Sequence, residues 1–367
     1  MKEGWTYKKL SEVAEIQYGT RVVQNRDGGS IYPVYGGGGA TFKMDSYNRE
    51  DCLVVARFAM SKQCTRFVKG KFFLNDSGLT LNSFDQNILL QSYLDKYILG
   101  LNDYIYFLGK GMAQKNLDMK SFRDLIIGFP NSLSEQRCIV AELDLMSDVI
   151  EKQKDQIEEL DKLAQSTFYD MFGDPVTNEK GWENTKLKDI SVIGDGLHGT
   201  PVYSEDGDCF FINGNNLEEG EIIFTKDTKK VSSEEKKKYY IEFNNQTIFV
   251  SINGSLGKLA FYNGENIILG KSACYIILNE NVNKTFIYSI LNSPYFKEYT
   301  QNEYTGTTIK NISLKSMRFM PVYLPPLALQ QEFAAKVEAI EQMKAKVRQS
   351  LKESEELFNS RMDYYFN

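Results

Sequence analysis

Two stretches of this 367-residue chain place apolar or small side chains at alternating steps of three and four residues. From about Ser134 to Met171 they are Leu143, Met146, Ile150, Ile157, Leu160, Ala164 and Met171; in the last 40 residues they are Val337, Ile340, Val347, Leu351 and Phe358. That spacing is the seam of a coiled coil. Gln153 and Thr167 interrupt the first seam, and Lys344 and Ser354 the second. Each seam needs an apolar partner, and the nearest is the other. Prolines mark both helix entries, at Pro130 and at Pro325-Pro326, and Phe172-Gly173-Asp174-Pro175 stops the first helix. Elsewhere short β-like runs (CLVVARF, KFFLN, QTIFVSI, NIILG) alternate with Gly/Asn-rich turns, and helix-like patches follow them. The pattern predicts two α+β globules.

The globules are copies of one another. At an offset of 177, Trp5, Leu10, Gly19 and Gly37 fall on Trp182, Leu187, Gly196 and Gly214. From about residue 53 the offset is 195, and Gly111, Lys115, Asn116, Lys120, Ser121 and Arg123 match Gly306, Lys310, Asn311, Lys315, Ser316 and Arg318. The helices repeat at an offset of 194, with Gln136 on Gln330 and Phe172 on Phe366. Such a repeat fixes the organisation before any motif is considered. The expected divisions are 1–133 and 174–327 for the globules, and 134–173 and 328–367 for the helices. The second copy carries an insertion around EEGEIIFTKDTKKVSSEE, whose polar, lysine-rich composition predicts a surface excursion.

Composition narrows the class. A chain 42% hydrophobic and 25% charged, without an apolar run near the roughly 18 residues of a membrane span, is expected to be a soluble protein with no membrane partner. The N-terminal MKEGWTYKKL lacks the apolar core of a signal peptide, which makes the cytoplasm the expected location. Five scattered cysteines without a C-x-x-C pair predict reduced thiols. The net charge of -6 is unevenly spread: residues 5–133 hold 16 Lys+Arg against 12 Asp+Glu, whereas 134–180 hold 5 against 12. The acid lies in a helix and the first globule is basic.

Catalytic chemistry finds no support. A DNA methyltransferase needs a Gly-rich cofactor loop and a Pro-Pro-aromatic motif for a flipped base; Asn292-Ser293-Pro294-Tyr295 only imitates the second, in a helix-like stretch. A single histidine, His198, makes a zinc site improbable. The run Gly36 to Gly39 has no Lys-Ser/Thr after it and reads as a turn rather than a phosphate loop. No catalytic, metal-binding or cofactor-binding residue is therefore expected.

Nucleic-acid contact fits better. Arg57, Lys62, Arg66, Lys69 and Lys71 fall within fifteen acid-free positions interleaved with Phe58 and Phe67, the mixture that phosphate and base-edge contacts use; Tyr35 beside the glycine turn is added. In the second copy the corresponding candidates are Asn253, Ser255 and Lys258 in N-G-S-L-G-K, His198 and Thr200 in G-D-G-L-H-G-T-P, and Thr307, Thr308 and Lys310 in T-G-T-T-I-K-N. His198 reads equally as a base contact and as a loop-packing residue.

The two W-x-x-x-K-L starts, G-D-G-L-H-G-T-P at 194–201, T-G-T-T-I-K-N-I at 305–312, P-N-S-L-S-E-Q-R at 130–137, P-P-L-A-L-Q-Q at 325–331 and M-F-G-D-P at 171–175 together resemble the specificity subunits of type I restriction-modification systems, over nearly the whole chain. The resemblance implies two target-recognition domains, each reading half of a split site in double-stranded DNA. It implies a pseudo-two-fold arrangement around an antiparallel coiled coil. Two methyltransferase subunits and restriction/translocase subunits would bind S-adenosylmethionine and ATP and supply the chemistry. The family's Glu135-Gln136 becomes Leu329-Gln330 in the second helix, and the first globule lacks the second's D-G-x-H, so the two are expected to read different sequences. The competing readings are a single-chain methyltransferase or nuclease with fused recognition domains, and a coiled-coil assembly protein. A helix of about 38 residues spans roughly 57 Å at 1.5 Å per residue, more than one DNA turn. Under the resemblance its length sets the spacer: deleting one heptad should change the preferred half-site spacing in a site-selection assay, and unchanged spacing would sink the idea.

Overall fold

The computed structural model describes residues 2–112, 114–304 and 310–366. The chain divides into two compact units, Met1–Lys154 with Gln349–Asn367, and Asp155–Arg348. The two ends of the chain therefore belong to the same unit. Both seams lie on helices of 40 residues, Leu133–Phe172 and Leu327–Phe366.

In the first unit, strand Trp5–Lys9 pairs antiparallel with Ile126–Pro130, which delivers the chain into the first long helix. A six-stranded sheet runs in the order Ala14–Tyr18, Gly78–Ser83, Arg49–Ala56, Thr65–Leu74, Tyr32–Tyr35, Ala40–Met44. Strand alternation separates its faces. Leu53, Val55, Leu79 and Leu81 belong to the main core with helices Gln91–Gly100 and Asn102–Phe107, whereas Val54, Val68, Phe72 and Leu74 form a second, smaller cluster. Ile139, Val140 and Leu143 of the first long helix and Met362 and Phe366 of the second complete the main core. These helix segments run antiparallel, Glu142 holding Arg361 and Gln153 donating to Ser350 Oγ at 2.9 Å.

Asp95, 7% exposed, accepts a 2.8 Å bond from Gln91 Nε2. Burial pushes its carboxyl up to about 6, against a smaller opposing pull from Gln91 and Lys96. The folded unit then holds a proton that the unfolded chain has lost, so stability falls as pH rises from about 4 to about 6. Asp95→Asn should match the unaltered chain at pH 4 and exceed it by about 2 kcal/mol above pH 6.5. Equal denaturation midpoints at both pH values would show the carboxylate to be adequately solvated.

In the second unit, strand Glu183–Lys186 pairs with Pro321–Leu324, as their counterparts do in the first. A four-stranded antiparallel sheet runs Ser191–Asp195, Ala273–Leu278, Thr247–Ser251, Leu259–Phe261; a three-stranded sheet runs Lys230–Val231, Cys209–Ile212, Ile267–Leu269. Phe168 and Phe172 of the first long helix meet Phe286 and Phe333, with ring centroids 4.7 Å apart for Phe172–Phe286 and 5.6 Å for Phe168–Phe333. Gly173, at φ 78°, ends that helix in the left-handed conformation that favours glycine, its N–H bonding Tyr169 O at 2.8 Å. Ser293 precedes Pro294 at the first turn of helix Pro294–Glu303, so the Asn-Ser-Pro-Tyr run is a helix start. Lys344 is 6% exposed in the seam, held 2.6 Å from Asp161 and 2.9 Å from Glu341. Burial disfavours its charge, but the two carboxylates outweigh that and raise its pKa.

One expectation is corrected here. The insertion is not merely a surface excursion: Leu217, Ile222 and Val231 are buried, Leu217–Glu218 and Glu221–Ile222 form a hairpin, and Lys230–Val231 joins the three-stranded sheet. Even Glu235 is buried, accepting a 3.0 Å bond from Val202 N–H and pairing with Lys238 at 2.6 Å. Its exposed lysines, Lys226 and Lys229, lie between the buried anchors Ile222 and Val231.

The repeat has structural causes. A Cβ on Gly19 would lie 1.9 Å from Asn75 O, and one on its counterpart Gly196 2.1 Å from Leu269 O, so both copies need glycine where the residue just past a strand meets the backbone at the end of another, non-adjacent strand. Among the described residues no helix is long and apolar enough to cross a membrane.

Candidate nucleic-acid interface

In each unit the sheet ends in a cluster of loops built alike. In the second unit strand Ser191–Asp195 pairs through Asp195 with Cys274, and strand Thr247–Ser251 through Ser251 with Ala273, so the loops at 196–201, 252–258 and 270–272 emerge at one end. Gly254 N–H bonds Lys310 O at 3.0 Å and Ile312 N–H bonds Ile252 O at 2.9 Å, which ties the N-G-S-L-G-K loop to the K-N segment. In the first unit Met60 N–H bonds Lys115 O and Leu117 N–H bonds Arg57 O, both at 2.9 Å. This recurring lattice places the same two segments side by side in both copies.

The candidates of the second unit gather here. Asn253 bridges to Asn311, Ser255 is exposed and its carbonyl accepts from Ser251 Oγ, Lys258 is half-buried, and Lys310 Nζ lies 5.0 Å from the Tyr304 ring centroid. Leu197 O accepts from Lys271 N–H at 3.0 Å, which carries the exposed His198 and Thr200 into the same loop group. His198 Nε2 sits 2.6 Å from Asp195 Oδ2. That contact orients the imidazole without burying it. Thr307 and Thr308 lie outside the described residues.

The basic run of the first unit does not form one patch. Thr65 pairs with Val55, so Arg57, Lys62 and Arg66 stand at the loop end of the sheet, whereas Lys71, opposite Glu50, lies about 20 Å along the strand from Thr65 at 3.3 Å per residue. Lys71 is 4.6 Å from the Tyr47 ring centroid, and its hydrogen bond to Tyr47 raises its pKa. Lys69 pairs loosely with Glu151 at 3.6 Å. Tyr35 packs edge-on against Phe72 at 5.4 Å and its carbonyl accepts from Asn75 N–H. Arg66 donates to the carbonyls of Gly37, Gly38 and Gln63, holding the glycine turn.

Three residues of this end escaped the sequence reading. Lys115 Nζ lies 4.0 Å from the Tyr106 ring centroid, beside Phe107, which is 77% exposed. Tyr18, at the end of its strand, faces Arg57 at 4.7 Å and accepts from Arg123 Nη2 at 3.3 Å. The sequence carries a signal for Lys115 and Arg123, which are the repeat partners of Lys310 and Arg318. A half-buried lysine whose ammonium is poised on an aromatic suits a phosphate. Replacing Lys115 by Ala should weaken DNA binding by the assembled protein about equally on all sequences and reduce the salt slope by about 0.9. A sequence-dependent loss in salt titrations would contradict a phosphate role.

Known proteins resemble this chain along nearly its whole length. A family model described as the type I restriction modification DNA specificity domain matches residues 2–162 and again 179–354. The type I restriction enzyme MjaIX specificity subunit of Methanocaldococcus jannaschii is 23% identical over 382 residues, covering 92% of this chain and 86% of that protein. The StySPI specificity subunit of Salmonella potsdam is 25% identical over 263 residues, covering 64% of this chain and 54% of that protein. Of solved structures, the S subunit of a type I restriction-modification system from M. genitalium superposes with a TM-score of 0.58 at 18% identity, covering 98% of this chain and 95% of the other. A chain from a study of assembly and conformational transition of the type I R-M system also gives 0.58, at 15% identity, covering 100% and 98%.

Proposed function

The chain belongs to the type I restriction-modification DNA specificity family, its two globules each carrying one copy of the domain, and from that premise we propose that it is the sequence-reading subunit of such a system, each unit reading one half of a bipartite DNA site. The observation that carries this is the loop lattice built twice: Arg57–Met60 on Lys115–Leu117, and Ile252–Gly254 on Lys310–Ile312. One bond recurs at equivalent positions (Leu117 N–H to Arg57 O, Ile312 N–H to Ile252 O) and the other shifts by one residue (Met60 N–H to Lys115 O, Gly254 N–H to Lys310 O), while the side chains differ, Arg57 and Phe58 in one unit and Ile252 and Asn253 in the other. A shared frame with different side chains suits two recognition sites for two different half-sequences.

In this proposal the chain contributes no bond-making group. Two methyltransferase subunits hold S-adenosylmethionine and carry out transfer to the DNA, and restriction/translocase subunits use ATP. The acidic segment 134–180, most of it the first long helix, holds 12 acids to 5 bases and is a poor DNA surface, which leaves much of the nonspecific phosphate attraction to those partners. The chain alone should then bind DNA weakly.

The test is co-expression of the full chain with its methyltransferase partner and mapping of adenine methylation across a plasmid. A split motif, one half of which changes when residues 1–133 are exchanged for those of a relative, establishes the role. Methylation of the same sites without this chain, or by this chain alone, overturns it.

A further inference from the structure

Arg49, Arg57 and Arg123 reach Tyr18 in the first unit, Arg66 stands with Arg57 at the loop end of the sheet, and three of these four arginines are occupied by the fold. Arg49 donates to Asn48 O at 2.8 Å, Thr80 Oγ1 at 3.0 Å and Tyr18 O at 3.2 Å. Arg66 holds the glycine turn through three carbonyls, and Arg123 donates to Tyr18 Oη. Arg57 differs. Its guanidinium lies 4.7 Å from the Tyr18 ring centroid and 4.5 Å from that of Phe58, and among the described residues it has neither a side-chain hydrogen bond nor an ion pair. Its backbone is fixed on both sides, N–H to Ser77 O at 2.7 Å and C=O from Leu117 N–H at 2.9 Å.

We infer that Arg57 is a specificity-determining residue of the first half-site, donating through its fork to the O6 and N7 of a guanine in the major groove. Two aromatic contacts and a fixed backbone order a side chain that would otherwise lose much rotamer freedom on binding. Its five N–H donors remain free, and of the four bases guanine alone presents two adjacent acceptors in the major groove that match the fork. A phosphate would also accept two bonds. The surroundings favour the base: Arg57 is half-buried and stacked between two partly exposed aromatic rings, whereas Lys62 at the same end is exposed and suits the backbone. The convergence of Arg49, Arg57 and Arg123 on Tyr18 without a carboxylate among their side-chain partners adds the positive field that an electron-rich base edge relieves. The second unit has Ile252 at the equivalent position, 4% exposed, so this readout belongs to one half-site only.

This inference rests on the proposed recognition role, and the experiment separates the two. The full chain, Arg57→Lys and Arg57→Ala are each co-expressed with the methyltransferase partner, and methylated sites are mapped on a randomised plasmid library. Lysine keeps the charge and any phosphate contact but loses the planar fork. Both variants should relax the requirement for guanine at one position of one half-motif by about 5- to 150-fold, with the other half-motif unchanged as proof that the protein is folded. A guanine requirement retained by both variants, or restored by lysine, overturns the inference while the split motif still upholds the recognition role. The absence of any split motif from the unaltered chain overturns both.

Discussion

Removal of residues 349–367 should unfold the first unit, leave the second folded, and abolish site-specific methylation by the assembled complex. The reason is that a core formed by the beginning of the chain is closed by its end. Phe366, 5% exposed, packs its ring 5.6 Å from Tyr93 and 5.1 Å from Tyr97, and Met362, 8% exposed, lies with it against Gly100, where a Cβ would approach both side chains to about 3 Å. Arg361 and Tyr365 both hold Glu142, at 2.9 Å and 2.6 Å, and lower its pKa. Loss of two core side chains costs about 2–5 kcal/mol each, and the seam apposing residues 133–154 goes with them. Against a domain stability of about 5–15 kcal/mol that is decisive. The chain has two tryptophans, Trp5 in the first unit and Trp182 in the second. Fluorescence of a Trp182→Phe chain reports the first unit alone, and of a Trp5→Phe chain the second. The truncation should erase the Trp5 transition in urea and spare that of Trp182; an unchanged Trp5 transition would show that the core closes without its last helix turns.

What was legible beforehand follows from how far each signal reaches along the chain. The two seams, the helix stop at Gly173 and the repeat are properties of neighbouring positions or of self-comparison, and all appear in the fold. Gln153 and Lys344 were legible as flaws in their seams, but their partners, Ser350 and Asp161, are on the opposite helix. The insertion was misjudged because its strands, Leu217–Glu218, Glu221–Ile222 and Lys230–Val231, have two residues each, too few for alternation to register against a lysine-rich background. The basic run failed as a unit for a related reason. Arg57 and Arg66 look alike in sequence, and only the fold brings the Gly37 and Gly38 carbonyls to one and Tyr18 to the other.

Gln136→Ala should destabilise the first unit by about 3 kcal/mol and Gln330→Ala the second by about 2 kcal/mol, because each glutamine is a buried junction of backbone groups. Gln136 is fully buried: its Oε1 accepts from Leu90 N–H at 2.9 Å, and its Nε2 donates to Pro130 O and Ile88 O, both at 2.8 Å. Gln330, equally buried, accepts from Asn283 N–H at 2.9 Å and donates to Pro325 O at 2.7 Å. Proline makes the junction necessary. Pro130 and Pro325 lead into the long helices and, like every proline, offer a carbonyl without an N–H, while the chain entering the helix Gln91–Gly100 or Lys284–Leu291 presents an N–H needing an acceptor. An amide side chain at the start of the long helix serves both. Truncation leaves buried donors and acceptors unmatched at about 1–3 kcal/mol each, reduced where water can enter. Gln136→Glu separates this from packing. The carboxylate keeps the acceptor but loses both donors and buries a charge, so it should be worse than alanine at pH 7 and recover as acid restores an O–H donor. Urea titrations of the Trp182→Phe background at pH 7 and pH 5 read the difference. A glutamate variant as stable as the parent at pH 7 would mean that the junction is solvated and that the repeated glutamine has another cause.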